Sequence, residues 1–146
     1  MQAIRNASVA TTLALAALTA GCGMMGGMFG GGGQMVSLSG QNEVPAVMTG
    51  ASGSGMVTVG SDCSVKAKIT VTGMDATAAH IHQGKAGANG PVIVPFTKSG
   101  ENSFVAPDGA KMTEAQCAAY KAGDTYVNVH SDKNKGGEVR AQLKGS

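Results

Sequence analysis

The sequence predicts an all-β domain, an antiparallel β-sandwich or Greek-key barrel with one short connecting helix. Three observations carry this. Residues 64–72, SVKAKITVT, put Val65, Ala67, Ile69 and Val71 on one face and Lys66, Lys68 and Thr70 on the other, the period of two of a half-buried strand. Similar short runs recur along the chain with Gly, Pro, Asn and Asp between them, the pattern of sandwiches and barrels. A single stretch, residues 113–123, has the composition of a helix.

The domain begins only after an N-terminal extension. Residues 1–6 carry one charge, Arg5, and residues 7–20 are apolar or small around the run LALAAL. That is too short to span a bilayer and suits a secretory leader. It runs into Leu18, Thr19, Ala20, Gly21 and Cys22, which resembles the lipobox of bacterial lipoproteins, where a Cys after small residues is lipidated and becomes the new N-terminus. Thr19 departs from the Leu usual three residues before that Cys. Residues 1–21 are therefore expected to be a lipoprotein signal peptide with lipid on Cys22. The alternative is an ordinary leader cut near Ala20 that leaves Cys22 a free thiol. Residues 22–33 contain GMMGGMFGGGG, which has no periodicity and reads as a flexible Gly/Met-rich tether. Its Met24, Met25 and Met28 are soft ligands for Cu(I). The simpler reading has them and Phe29 resting on the lipid surface.

From residue 34 to 146 the strands follow in order. Residues 35–39, 55–59 and 64–72 come first, then 78–82, 92–96, 103–105, 126–130 and 139–143. The helix starts at a capping Thr113, continues in good helix formers and stops at Gly123. With Cys22 assigned to lipid, Cys63 and Cys117 remain, and in an oxidising envelope compartment they are expected to form a disulfide. Two buried free thiols are the alternative.

Composition limits the function classes. Aromatic residues make up 3% of the 146, with no Trp, so the core must rest on Val, Ala, Ile, Leu and Met. The formal charge is +2 with scattered lysines, without the clustered basic face of a nucleic-acid binder. Removing Arg5 with the leader brings the remaining chain close to neutral. No GxSxG, Walker loop, CxxC or paired-carboxylate pattern is present.

The chemistry concentrates in the three histidines. His80 and His82 are two apart on one strand and so project together. His130 closes the strand 126–130, whose Val127 and Val129 belong to the core, sending Tyr126, Asn128 and His130 to the other face. On the last strand the same parity puts Arg140 and Gln142 outside. His80, His82 and His130 are expected to form one metal site on the outer face, copper ahead of zinc by the affinity order, with a position left open. Arg140, Glu43 and Asn128 are its candidate outer partners. The competing reading of Glu43 is a salt bridge to Arg140 that joins two loops. Binding to neutral imidazoles is expected to weaken near pH 6.5.

Several motifs in this body resemble the CHRD domain, a module named after chordin and also found singly in bacterial envelope proteins. They are LSGQNEVP at 38–45, AHIHQG at 79–84, GPV at 90–92, GDTYVNVHS at 123–131 and GGEVRAQL at 136–143. Ala46 departs from the family, whose bacterial members often carry a second Pro there. The resemblance implies a β-sandwich from about residue 35 to 143 and leaves the biochemical role open. The order of His80, His82, His130 and Arg140 is also similar to copper/zinc superoxide dismutases, though a zinc-bridging fourth His and an electrostatic loop are lacking. Two function classes follow. One is a lipid-anchored, metal-binding protein of the bacterial cell envelope. The other is a non-catalytic scaffold module contacting an envelope protein partner, its histidines structural. A dismutase-type enzyme ranks third.

Overall fold

The computed structural model describes residues 32–145. The leader, Cys22 and most of the tether lie outside the described residues. The elements are β1 (Gln34–Ser39), β2 (Ser52–Val59), β3 (Val65–Thr72), β4 (Ala76–Gln83), β5 (Val92–Pro95), β6 (Thr97–Gly100), β7 (Ser103–Val105), α1 (Glu114–Lys121), β8 (Thr125–Ser131) and β9 (Val139–Leu143).

The strands form one antiparallel sheet in the order β5-β4-β8-β9-β1-β2-β3-β7-β6. Its two outermost strands are consecutive in the chain, separated only by Phe96. Phe96 still donates its backbone N–H to Ala79 on β4, at 3.0 Å. Two residues later, Lys98 is paired with Phe104 on β7. Residues 92–100 thus pass from one end of the sheet to the other, and the sheet nearly closes into a barrel. β6 was not anticipated, because its four residues are all exposed and polar or Gly. β2 and β4 also start earlier than expected.

The interior is filled by the faces that alternation assigned to it. Val65, Ile69 and Val71 of β3 are buried, with Lys66, Lys68, Thr70 and Thr72 exposed. Leu38, Val57, Ala79, Ile81, Phe104, Val127, Val129, Val139 and Leu143 complete the centre. Opposite β2, β1 continues toward β9, but the two strands share only the pair Ser39 and Arg140. The far end of this seam is held by the Gln34 side chain. Its Nε2 donates to the Lys144 carbonyl at 2.7 Å, and its Oε1 accepts from the Lys144 N–H at 2.9 Å. A side-chain amide here takes the place of a backbone ladder pair.

The helix forms as expected. Thr113 Oγ1 accepts from the Gln116 N–H, and the Gln116 side chain accepts from the Thr113 N–H, a reciprocal cap. Gly123, at φ +80°, takes the left-handed position after the last turn. Cys117 and Tyr120 face inward. Cys117 is disulfide-bonded to Cys63, 54 residues earlier, with Cα atoms 5.7 Å apart. The bridge ties the β2–β3 turn to the helix that leads into β8.

Candidate metal centre

The site is built on the face of β4, β8 and β9 that points away from the core. His82 pairs with Tyr126, His80 with Asn128, and Asn128 in turn with Arg140. Directly paired residues share a face, so these side chains form one polar patch three strands wide. Strand parity read this correctly. The expectation that the patch is an outer, solvated face is corrected by the structure. Three loops cover it, so Arg140 and Asn128 are each 1% exposed, Glu43 6% and His82 8%. Alternation reports which face a residue takes and carries no information about what later covers that face.

The three histidines meet. His80 Nδ1 lies 3.0 Å from His130 Nε2, and one ring nitrogen from each His falls within 4.8 Å of the others. His82 Nδ1 is 2.9 Å from the Gly90 carbonyl and His130 Nδ1 is 2.9 Å from the Lys135 carbonyl. A carbonyl only accepts, so both Nδ1 atoms carry the proton and both Nε2 atoms present lone pairs. Metal-ligating histidines fix their other ring nitrogen in the same way, by donating its proton to a carbonyl or carboxylate. His82 Nε2 is buried and has no hydrogen-bond partner.

The dimensions nearly suit a single ion. With metal–nitrogen bonds of about 2.0–2.1 Å, two ligands of a tetrahedral ion stand about 3.3 Å apart. The His80–His130 pair is already at that scale. The widest separation requires one ring to swing inward by roughly 1 Å, given a trans limit of about 4.1 Å. Burial, reinforced by the neighbouring His130 and His82, pushes the His80 imidazole down to about 4. Burial also holds His82 below the usual histidine range, against the Gly90 carbonyl, which favours its charged form. Near neutral pH both rings are therefore unprotonated and ready to ligate.

Loops fix the rings in place. Tyr126 stacks on His82 with centroids 4.9 Å apart and planes 5° from parallel, and the Arg140 guanidinium lies 3.4 Å from the Tyr126 ring centroid. Arg140 donates to the carbonyls of Ala88 (2.8 Å) and Lys85 (3.2 Å) and to Asn89 Oδ1 (3.1 Å). It thereby holds the β4–β5 loop whose Gly90 carbonyl orients His82. The expected salt bridge between Glu43 and Arg140 does not form, since the guanidinium is turned to this loop. Arg140 acts on Glu43 only through its charge. Burial pushes the Glu43 carboxyl up to about 7, against the lowering effects of Arg140, Asn128 and the Val44 backbone. Glu138 accepts from Ser131 Oγ and from Thr49 Oγ1, joining the β8–β9 loop to the loop after β1.

Sequence reading missed Tyr126, Asn89 and the carbonyls of Gly90 and Lys135 as parts of the site. Backbone carbonyls leave no trace in residue identity, although the Gly/Asn-rich loop after His82 marked where one of them would lie.

The family profile described as CHRD domain matches residues 35–143. The chain belongs to the CHRD-domain family. The match runs from β1 to the last residue of β9, so this CHRD domain comprises the whole barrel, including the three histidines and Arg140. No curated protein and no solved structure matches the chain.

Proposed function

We propose that this CHRD domain binds a transition-metal ion through His80, His82 and His130, copper in preference to zinc. The observation that carries the reading is the pair of Nδ1–H groups fixed to the Gly90 and Lys135 carbonyls, which leaves the Nε2 lone pairs of His82 and His130 free, the second of them 3.0 Å from His80 Nδ1. Three imidazoles with an open position suit either ion, and the affinity order favours Cu(II). Asn128 and Glu43 lie beside the rings, and Arg140 acts at one remove through the loop it holds. We further propose that the domain acts in a bacterial cell envelope, anchored by lipid on Cys22, where it handles or stores the ion. These last points rest on the leader-like residues 1–21 and the Gly-rich tether.

Calorimetric titration of wild type and His82→Ala with Cu(II) and Zn(II) tests the site. Wild type should bind one ion, and the variant should lose more than the roughly 10–100-fold in affinity that removal of an outer partner costs. Equal heats for the two proteins would refute it. A scaffold module with structural histidines gives no heat with either, and a loss of stability in the variant.

A further inference from the structure

The outward faces of β1, β2 and β3 are polar except at one place. Met35 of β1 and Met56 of β2 stand directly opposite each other and are 71% and 48% exposed. Every other outward position on these strands is Ser, Thr or Lys. Apolar residues exposed singly need no explanation, but these two are cross-strand neighbours and form one patch. Cations flank it. Lys68 of β3 pairs with Met56 on the side away from β1, and Lys144 lines the groove between β1 and β9 together with Met35. Both lysines are exposed, and β1, β2 and β3 contain no Asp or Glu.

The chain enters the barrel at this patch. A Cβ on Gly33, the residue before β1, would stand 3.0 Å from Met56 Sδ. Upstream the sequence carries Met24, Met25, Met28 and Phe29, so apolar residues continue from the patch toward Cys22. The other strongly exposed methionine, Met48 at 98%, lies in the segment between β1 and β2, at the opposite end of both strands. Thioethers are soft ligands for Cu(I), but two of them between two ammonium groups hold a cation poorly. A second copy laid on the same face would bring lysine against lysine. Apolar side chains rimmed by lysines match the boundary of an anionic bilayer, where the thioether enters the acyl edge and the ammonium stays with the headgroup phosphates.

We propose that Met35 and Met56, flanked by Lys68 and Lys144, dock the barrel on an anionic lipid surface. This rests on the lipid-anchor reading, because two methionines and two lysines are too few for stable attachment by themselves. A tether makes the contact intramolecular, and a weak patch then suffices. The tether is long enough to lift the barrel off the surface, and the patch draws β1 and β2 back down. β4 and β8, which carry the histidines, lie beyond β9 in the sheet and stay off the contact.

The chain from Cys22 onward contains the whole barrel, and its Cys63 and Cys117 are disulfide-bonded. Coupling the Cys22 thiol to a maleimide lipid therefore holds the barrel at a vesicle surface whether or not cells lipidate it. Vesicles of phosphatidylethanolamine and phosphatidylglycerol that include a nitroxide-headgroup lipid broaden the NMR signals of nearby methyl groups. In protein labelled with carbon-13 at the methionine methyls, the Met35 and Met56 signals should be lost and the Met48 signal kept. Retention of Met35 and Met56, or an equal loss at Met48, overturns the proposal. Exchanging phosphatidylglycerol for phosphatidylcholine should restore the two signals, and an unchanged loss overturns the part given to the lysines. Native protein found soluble on cell fractionation would sink the anchor, while signal loss in the coupled protein would leave the docking face standing. Native protein that sediments with membranes, beside coupled protein that keeps both signals, would do the reverse.

Discussion

At the scale of single residues, the site is governed by burial of groups that prefer water. His80, pushed down to about 4, stays neutral far below the ordinary histidine range. His80 should therefore remain available as a ligand until pH falls toward 4, lower than an unburied histidine would dictate. A His80 ring that titrates near 6.5 in an NMR titration of the metal-free protein would contradict this. The same shift bears on stability. Between about 6.5, the unfolded value, and about 4, the unfolded chain binds more protons at His80 than the folded one. Its contribution is thus present above 6.5 and lost as pH falls through that window. Glu43 acts in the opposite sense. Its folded value of about 7 lies above the ordinary 4.5, so its contribution is full below 4.5 and lost as pH rises through 7. Glu43→Gln removes this titration. Urea midpoints of metal-free wild type, followed from pH 5 to 8, should carry a falling component that the variant lacks. Identical profiles would show that Glu43 is not the buried acid described.

Among elements, Arg140 joins the most parts: it projects from β9, carries the loop between β4 and β5, and lies on the Tyr126 ring of β8. Arg140→Ala removes several hydrogen bonds from a charged donor, each worth about 1.5–3 kcal/mol, and leaves three loop acceptors without it. We expect a loss on the order of 3 kcal/mol in urea melts, together with weaker metal binding as Gly90 loses its fixed position. A stable variant with wild-type affinity would show that the loop holds itself. The strands show how much of this was legible. β3 was read almost residue for residue, because one solvated face and one buried face write an alternating pattern. β6 was not, since a strand exposed along its whole length buries no apolar side chain and leaves no period. For β4, β8 and β9 alternation found the right face and mistook its environment, because the covering loops connect elements distant in sequence. Thr49 reaches Glu138, and Asn89 reaches Val44. No local window contains both ends of such a contact.

The molecule as a whole is a nearly closed barrel with a disulfide-tied helix. Among the described residues, no helix is long and apolar enough to cross a bilayer. The route to a membrane that we propose is lipid on Cys22, which follows an apolar run and a pair of small residues and precedes a Gly-rich run that ends where the barrel begins. On that proposal, a flexible tether of about eleven such residues would reach on the order of 20 Å, enough to lift the barrel clear of lipid headgroups. A lipid on Cys22 would then hold the domain at the surface without involving the histidine face. Cell fractionation of wild type against Cys22→Ser tests the anchor. Wild type should sediment with membranes and need detergent for release, whereas the variant should appear in the soluble envelope fraction with its barrel and metal binding intact. An ordinary leader cut near Ala20 predicts a wild type already soluble without detergent. That outcome would remove the anchor, and the three-histidine site would be unaffected, because no part of it lies upstream of β1.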